Sequence, residues 1–224
     1  MIDIHSARTV DLPGVAAVMQ EAFSDKMRVL VGRHPEKARA LLEAAYAGPV
    51  SRGYDGLLVA ERDGRVVGTL TLEPIYYTPQ ENRVLENTAI RELGLLRLLR
   101  ASFLLWLIGH RPGEDEAYVS DVCVAPDCQG EGIGQLLLDY AEAWARDNDR
   151  SRMTLWVAAT NDSAIHVYEK TGFEIVRTRS NLLTRLFFGI PRWHFKEKHL
   201  AASVVTYEYN DDADDRDGSP EPIL

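Results

Sequence analysis

The order of segments along this chain predicts an α/β fold: a mixed, mostly antiparallel central sheet with helices on both faces. Three observations predict it. Runs rich in β-branched residues alternate with runs of helical period. Asp63-Gly64 joins two such β-rich runs, a strong short-range hairpin signal. In mid-chain an apolar run ending at Val124 meets Gly130, Gly132 and Gly134, and an amphipathic helix follows directly.

Each element is then justified in turn. Ile2 to Ala7 alternates and reads as a first strand. Asp11 is the expected N-cap of the next helix and Pro13 its first turn; Val15, Val18, Met19 and Ala22 follow at helical spacing. A second helix is expected from Pro35 to Ala47, stopped by Gly48-Pro49. Gly56–Arg62 and Arg65–Leu72 are the hairpin strands. Residues 73–115 read as a helical insertion. Ile90–Arg100 is amphipathic there, and Ala101–Ile108 is apolar nearly all round and so must be buried somewhere. The apolar part packs as a lid on the core, or lines an acceptor pocket, or touches lipid; it is too short to span a bilayer. Tyr118–Val124 is a strand, with Asp121 and Val119 on one face and Tyr118, Ser120 and Val122 on the other. The helix after the glycines runs from Gly132 to Asn148, with Leu136, Leu137, Tyr140, Ala141 and Trp144 inward. Met153–Ala158 is a strand, Asn161–Lys170 a helix and Gly172–Arg177 a strand. Trp193–Leu200, or else Ser203–Tyr207, closes the sheet.

The chain has 224 residues, 46% of them apolar, enough for one well-buried domain, expected over residues 1–200. Of the net charge of −9, most falls on a tail with seven acids (Glu208, Asp211, Asp212, Asp214, Asp215, Asp217, Glu221) and one base, Arg216. The segment 201–224 is therefore expected to end in a disordered, acidic tail. The near-neutral remainder argues against nucleic acid as a partner. The start shows no signal-peptide pattern and no apolar run is long enough for a membrane span. Cys123 and Cys128 make a poor disulfide from a strand and its turn, so a reducing, cytoplasmic setting is expected. His34, His110, His166 and His194 lack ligand spacing, and no metal is expected. Ser120 has no recognisable His-Asp pairing, which argues against a serine nucleophile.

Glycines where a strand enters a helix let main-chain N–H groups converge on an anion, with the helix dipole behind them. The pattern differs from the G-x-G-x-x-G of dinucleotide folds, and no Lys-Ser or Lys-Thr follows, as a nucleotide P-loop requires. A purely structural turn is the bland alternative. Two blocks decide between these. Gln129-Gly-Glu-Gly132-Ile-Gly134, led in by Val122-Cys-Val-Ala-Pro126, resembles the Gln/Arg-x-x-Gly-x-Gly/Ala signature of the GNAT superfamily of N-acetyltransferases. Asn161-Asp-Ser-Ala164-Ile-His-Val-Tyr168-Glu-Lys-Thr-Gly172-Phe173 is similar to that superfamily's second block.

The resemblance implies a GNAT-like sheet whose two neighbouring strands, Tyr118–Val124 and Met153–Ala158, splay to admit the pantetheine arm of acetyl-CoA. Strand residues Val122, Cys123 and Val124 would line that arm. The diphosphate would rest on N–H groups of Gln129, Gly130, Glu131, Gly132, Ile133 and Gly134, with Gln135 adding a donor. Asn161 would contact the cofactor arm near the sulfur. Tyr168 matches the family tyrosine that protonates the departing thiolate. The base stays open: the family's early-strand glutamate position holds Tyr118 here, so Glu116, Asp121, a group elsewhere, or no base at all remains. Cys123 as an acyl carrier is the weaker alternative to a buried strand cysteine.

The implied reaction is direct transfer of acetyl from acetyl-CoA to an amine in a ternary complex. The runner-up is a non-catalytic acyl-CoA sensor or scaffold. The acceptor, a small-molecule or peptide amine, is expected to have an apolar portion. That expectation rests on Leu183, Leu186, Phe187 and Phe188 in a predicted loop, with Leu104, Leu105 and Trp106. A homodimer interface is the competing explanation of the same residues.

Overall fold

The computed structural model describes residues 1–24 and 34–200. Seven strands form one sheet in the order β1-β2-β3-β4-β5-β7-β6. They are β1 (Asp3–Ser6), β2 (Leu57–Arg62), β3 (Arg65–Glu73), β4 (Glu116–Val124), β5 (Arg152–Ala158), β6 (Glu174–Ser180) and β7 (Arg192–His199). Every pairing is antiparallel except β4 with β5. The helices are α1 (Leu12–Ala22), α2 (Pro35–Ser51), α3 (Pro79–Leu93), α4 (Leu95–Ile108), α5 (Ile133–Asp147), α6 (Asp162–Lys170) and α7 (Leu182–Phe188). The expected acidic tail and the alternative closing strand at 203–207 lie outside the described residues, and Trp193–Leu200 supplies the closing strand as β7.

The hairpin forms where Asp63 and Gly64 both take positive φ, 52° and 77°, so that the turn's twist matches the strands it joins. Helices cover both faces of the sheet. Tyr46 of α2 meets Thr71 at 3.3 Å, whereas Ile133 and Leu137 of α5 lie over Gly68. Positions 68 and 71 lie three apart on an unbroken stretch of β3 and so point to opposite faces. The core between these layers includes Leu57, Leu58, Leu70, Leu72, Leu137 and Leu155, all essentially inaccessible to solvent.

Several local expectations are corrected. Asp11 occupies the N-cap position of α1 as expected, but its side chain makes no cap bond there. Its carboxylate turns back to accept the Arg8 N–H at 2.7 Å and the Arg8 guanidinium at 3.0 Å, closing a short 3₁₀ turn instead. Helix α2 runs through Gly48-Pro49 to Ser51: a proline in the last turn forfeits little, and Arg52 N–H still closes onto Gly48 O at 3.2 Å. The insertion forms two helices that break at Gly94 (φ 74°), inside the amphipathic stretch. Leu95, Leu96 and Leu99, in the amphipathic part, are exposed; of the apolar part expected to be buried, Ala101 is buried, and the side chains of 103–108 lie outside the described residues. The buried stripe of α5 is Ile133, Leu137, Leu138, Ala141 and Ala145, while Leu136 and Tyr140 are exposed, because the seat above Gly68 sets the helix's rotation. The 182–190 loop is in fact helix α7, capped by the Asn181 side chain, which accepts from Leu183 N–H at 2.9 Å.

Candidate active site

The ladder between β4 and β5 holds only three positions: Glu116 opposite Arg152, Ala117 opposite Met153 and Tyr118 opposite Thr154. Beyond them the strands part, although β5 stays paired with β7 along its whole length. Ala125 N–H donates to Val67 O at 2.9 Å, so by alternation Cys123 and Ala125 turn their main-chain groups toward β3. Those of Val122 and Val124 turn into the gap. There the Gln129 side-chain amide already donates to Val124 O at 3.2 Å.

At the end of the gap Gly130 (φ 81°) and Gly132 (φ 83°) hold conformations that L side chains rarely adopt, and a Cβ at either would meet nothing within 4 Å. The loop therefore presents bare main chain to open space. Gly134 has no positive φ, and a Cβ there would touch only Val124, at 3.9 Å. No side chain caps the first turn of α5, which begins at Ile133, Gly134 and Gln135. Uncapped N–H groups and a helix dipole facing open space fit an anion such as a diphosphate. Glu131 forms an ion pair with Arg62, and Asp127 accepts from both guanidinium nitrogens of Arg65, at 2.6 and 3.0 Å. Two hairpin arginines thus hold the loop against the sheet.

Tyr168 of α6 lies within electrostatic reach of Cys123 and Asp121 on β4, its ring edge-on to Phe173 with centroids 5.9 Å apart. Burial, and then the charges of Cys123 and Asp121, raise its pKa far above the ordinary phenol value, so it is a neutral O–H donor at physiological pH. Asn161 Oδ1 accepts Ala164 N–H at 3.2 Å and so caps α6. Cys123 is buried on the sheet face of Thr69 and Asp121.

The face expected for Asp121 is corrected. A register shift between Thr71 and Leu72 leaves Ser120 as a bulge, with Thr71 opposite Asp121 and Leu72 opposite Val119. The extra residue inverts the alternation, so Asp121 shares a face with Tyr118. Its Oδ1 accepts from Thr71 Oγ1 at 3.2 Å and its Oδ2 from Ser120 Oγ at 3.1 Å. Glu116 is buried within a full set of partners: His110 Nε2 at 2.7 Å, Gly113 N–H at 3.0 Å, Arg152 at 3.7 Å and the Thr154 hydroxyl. Burial pushes its pKa up, but the bonds from Thr154, Gly113 and His110 together outweigh it and hold the carboxyl below its usual range.

On the face of Phe195 and Trp193, opposite that of Lys196, a cavity of about 470 Å³ opens beside the gap. It is lined by Tyr118 and Ser120 of β4, Trp156 of β5, Thr178 and Arg179 of β6, Thr184 of α7 and Trp193 of β7, among others. Of the described apolar residues expected to form an acceptor wall, Leu183 and Leu186 are exposed and do not line it; Phe188, Leu104, Leu105 and Trp106 lie outside the described side chains. Sequence reasoning missed Trp156, Trp193, Arg177 and Arg179. The i, i+2 spacing of the two arginines on one strand was the available signal. It also missed a cluster of His5, Asp11 and Glu61, whose ligand atoms lie within 4.8 Å of one another, at the β1–β2 edge; Arg8 bridges its two acids.

A sheet splayed beside an uncapped glycine loop agrees with the profile match that places the chain in a family. The chain belongs to the Acetyltransferase (GNAT) family, whose profile matches residues 17–173. A mycothiol acetyltransferase of Rhodococcus jostii (strain RHA1) is 39% identical over 70 residues, covering 31% of this chain and 22% of that protein. A mycothiol acetyltransferase of Geodermatophilus obscurus is 27% identical over 186 residues, covering 73% of this chain and 58% of that protein. The chain thus spans only part of the curated relatives it matches. An N-acetyltransferase from Staphylococcus aureus Mu50 superimposes with a TM-score of 0.60 at 16% identity, covering 90% of this chain and 99% of that one, and so shares the fold. Among the described residues no helix is long and apolar enough to cross a membrane.

Proposed function

We propose that the protein transfers an acetyl group from acetyl-CoA directly to the amine of a small-molecule or peptide acceptor, in a ternary complex and in the cytoplasm. Residues 1–200 form the transferase domain, with 73–115 as its helical insertion. The observation that carries this reading is the three-position β4–β5 ladder, which ends beside an uncapped helix entered through Gly130 and Gly132. N–H groups from Gln129 to Gly134, with Gln135, hold the diphosphate. Main-chain groups of Val122 and Val124 bond the pantetheine amides, Gln129 releasing Val124 O as they do. The Asn161 amide, whose N–H groups the cap leaves available, contacts the arm.

The acceptor nitrogen attacks the thioester carbonyl carbon, the C–N bond forms and the C–S bond breaks. An amine of this kind has a pKa near ~10.4 and must lose a proton to attack. Ser120 lines the cavity and donates to Asp121, so the proton passes through Ser120 to the Asp121 carboxylate. Glu116 is the weaker base: its oxygens are taken by four donors, and it instead fixes the start of β4 to β5 through Thr154 and Arg152. Tyr168 gives its proton to the departing sulfur; the desolvation that disfavours a phenolate there disfavours a bare thiolate as well. The test is thiol release from acetyl-CoA across a panel of amines, with CoA calorimetry alongside. Heat without release on any amine favours a sensor; no heat with CoA ends the account.

A further inference from the structure

The cavity beside the gap carries one charged lining residue, Arg179, and no carboxylate among its lining residues. Its neighbour two positions back, Arg177, joins it. In the β6–β7 register Arg177 lies opposite Phe195 and Arg179 opposite Trp193, so both sit on the cavity's face. The Arg177 guanidinium lies 5.4 Å from the Trp156 ring centre and 5.2 Å from that of Phe195; the Arg179 guanidinium lies 5.6 Å from Trp156. Strand β6 is the sheet's edge, where an arginine ordinarily extends into water. These two are exposed as well, yet their guanidiniums lie over aromatic rings. Three other strand arginines are neutralised: Arg62 by Glu131, Arg65 by Asp127, and Arg152 by Asp115 and Glu197. Among the described residues neither Arg177 nor Arg179 has an acidic group within ion-pair distance. A guanidinium stacked on an indole face keeps its edge N–H groups directed outward in the fork that matches two oxygens of an anion.

We infer that this cavity is the acceptor site and that it selects amines carrying an oxyanion, a carboxylate or a phosphate. Arg179, backed by Arg177, takes the anion. Trp156 and Trp193 flank the body of the acceptor, and its amine points to Ser120 at the gap. The inference rests on the acetyl-transfer reading and deepens it by naming the acceptor's charge. It replaces the expected leucine-lined pocket with one whose apolar surface is aromatic and whose end is cationic.

The experiment is calorimetry with matched probes, with and without CoA: leucylglycine against leucylglycinamide, and phosphoethanolamine against ethanolamine. The anionic member of at least one pair is expected to bind about ten- to a hundredfold tighter, the scale of a charge-assisted hydrogen-bonded contact. Which pair shows the gap tells carboxylate from phosphate. Arg177→Gln with Arg179→Gln should abolish the preference and leave CoA affinity unchanged, while Arg179→Lys should keep part of it. Equal binding within both pairs, no binding of any probe, or a preference that survives the double substitution overturns the inference. CoA titrated alone reports on the donor site separately. Its failure to bind sinks the acetyl-transfer reading while the acid-against-amide comparison stays readable.

Discussion

The two walls of the β4–β5 gap are made of different material. The wall proposed for the donor, from Val122 to Gln135, is main chain: strand amides turned into the gap, two glycines at positive φ and an uncapped helix end. The wall proposed for the acceptor is side chain: two indoles, the Arg179 guanidinium with Arg177 beside it, and a few hydroxyls from β4, β5, β6, α7 and β7. A main-chain wall binds whatever presents the right anion and amides, and tolerates changes in the residues that carry it provided the φ values survive. A side-chain wall can be rebuilt one residue at a time without touching the donor. The division separates a fixed chemistry from an adjustable specificity within one sheet.

Tyr168→Phe breaks the comparison most severely if the mechanism is right. It removes one oxygen from the junction of the two walls and nothing from either binding surface. Turnover is expected to fall by about 10²- to 10⁴-fold, the usual contribution of a positioned acid, with CoA affinity retained. Stopped-flow thiol release beside CoA calorimetry reads both. Turnover preserved within about twofold removes Tyr168 from the chemistry.

Gly132→Val strikes the main-chain wall. Position 132 sits at φ 83°, and forcing an L side chain there costs about 1–2 kcal/mol or reshapes the loop. CoA affinity should drop about tenfold or more, while binding of an anionic amine to the Arg179 cavity stays intact. A loss of both together would mean that the walls are not separable.

This asymmetry also explains what the sequence disclosed. The donor wall was legible because its residues are contiguous and their reason for being glycine is local: Gly130 and Gly132 can be recognised without knowing what surrounds them. Tyr168 and Asn161 came with a second contiguous block. The acceptor wall was not legible, because Trp156 and Arg179 lie far apart in the chain and meet only through the β5–β7–β6 register. The face of Asp121 was misread because strict alternation cannot foresee the bulge at Ser120, which shows only as a shift against β3. Helix α7 reads as a loop in the sequence since seven residues carry too little period to declare a helix.

Glu116→Gln probes the closed base of the gap, below both walls. The amide keeps the shape but gives up the charge that His110, Gly113 N–H, Thr154 and Arg152 surround, at about 1–3 kcal/mol. The pH sign follows from a carboxyl held below its usual range. Its contribution is present above the unfolded value, near ~4.3, and drains away as pH falls through the folded value. Thermal melts of the two proteins should therefore differ at neutral pH and converge in acid. A difference that grows on acidification contradicts the arrangement.

Gly134→Ala is the smallest and the most discriminating change on the donor wall. Of the three glycines that made the loop visible, this one has no positive φ, and the added Cβ would stand in ordinary contact with Val124 at 3.9 Å. It lies in the first turn of α5, where alanine is the better helix former by up to about 1 kcal/mol. If the wall works through conformation, Gly134→Ala should raise the melting temperature by a few degrees and leave CoA affinity within a factor of about two, in contrast to Gly132→Val. If CoA affinity instead falls as steeply as at position 132, then the space above Gly134 is itself occupied by the bound donor. The main chain would then be bare there to make room for the ligand, not to make the turn.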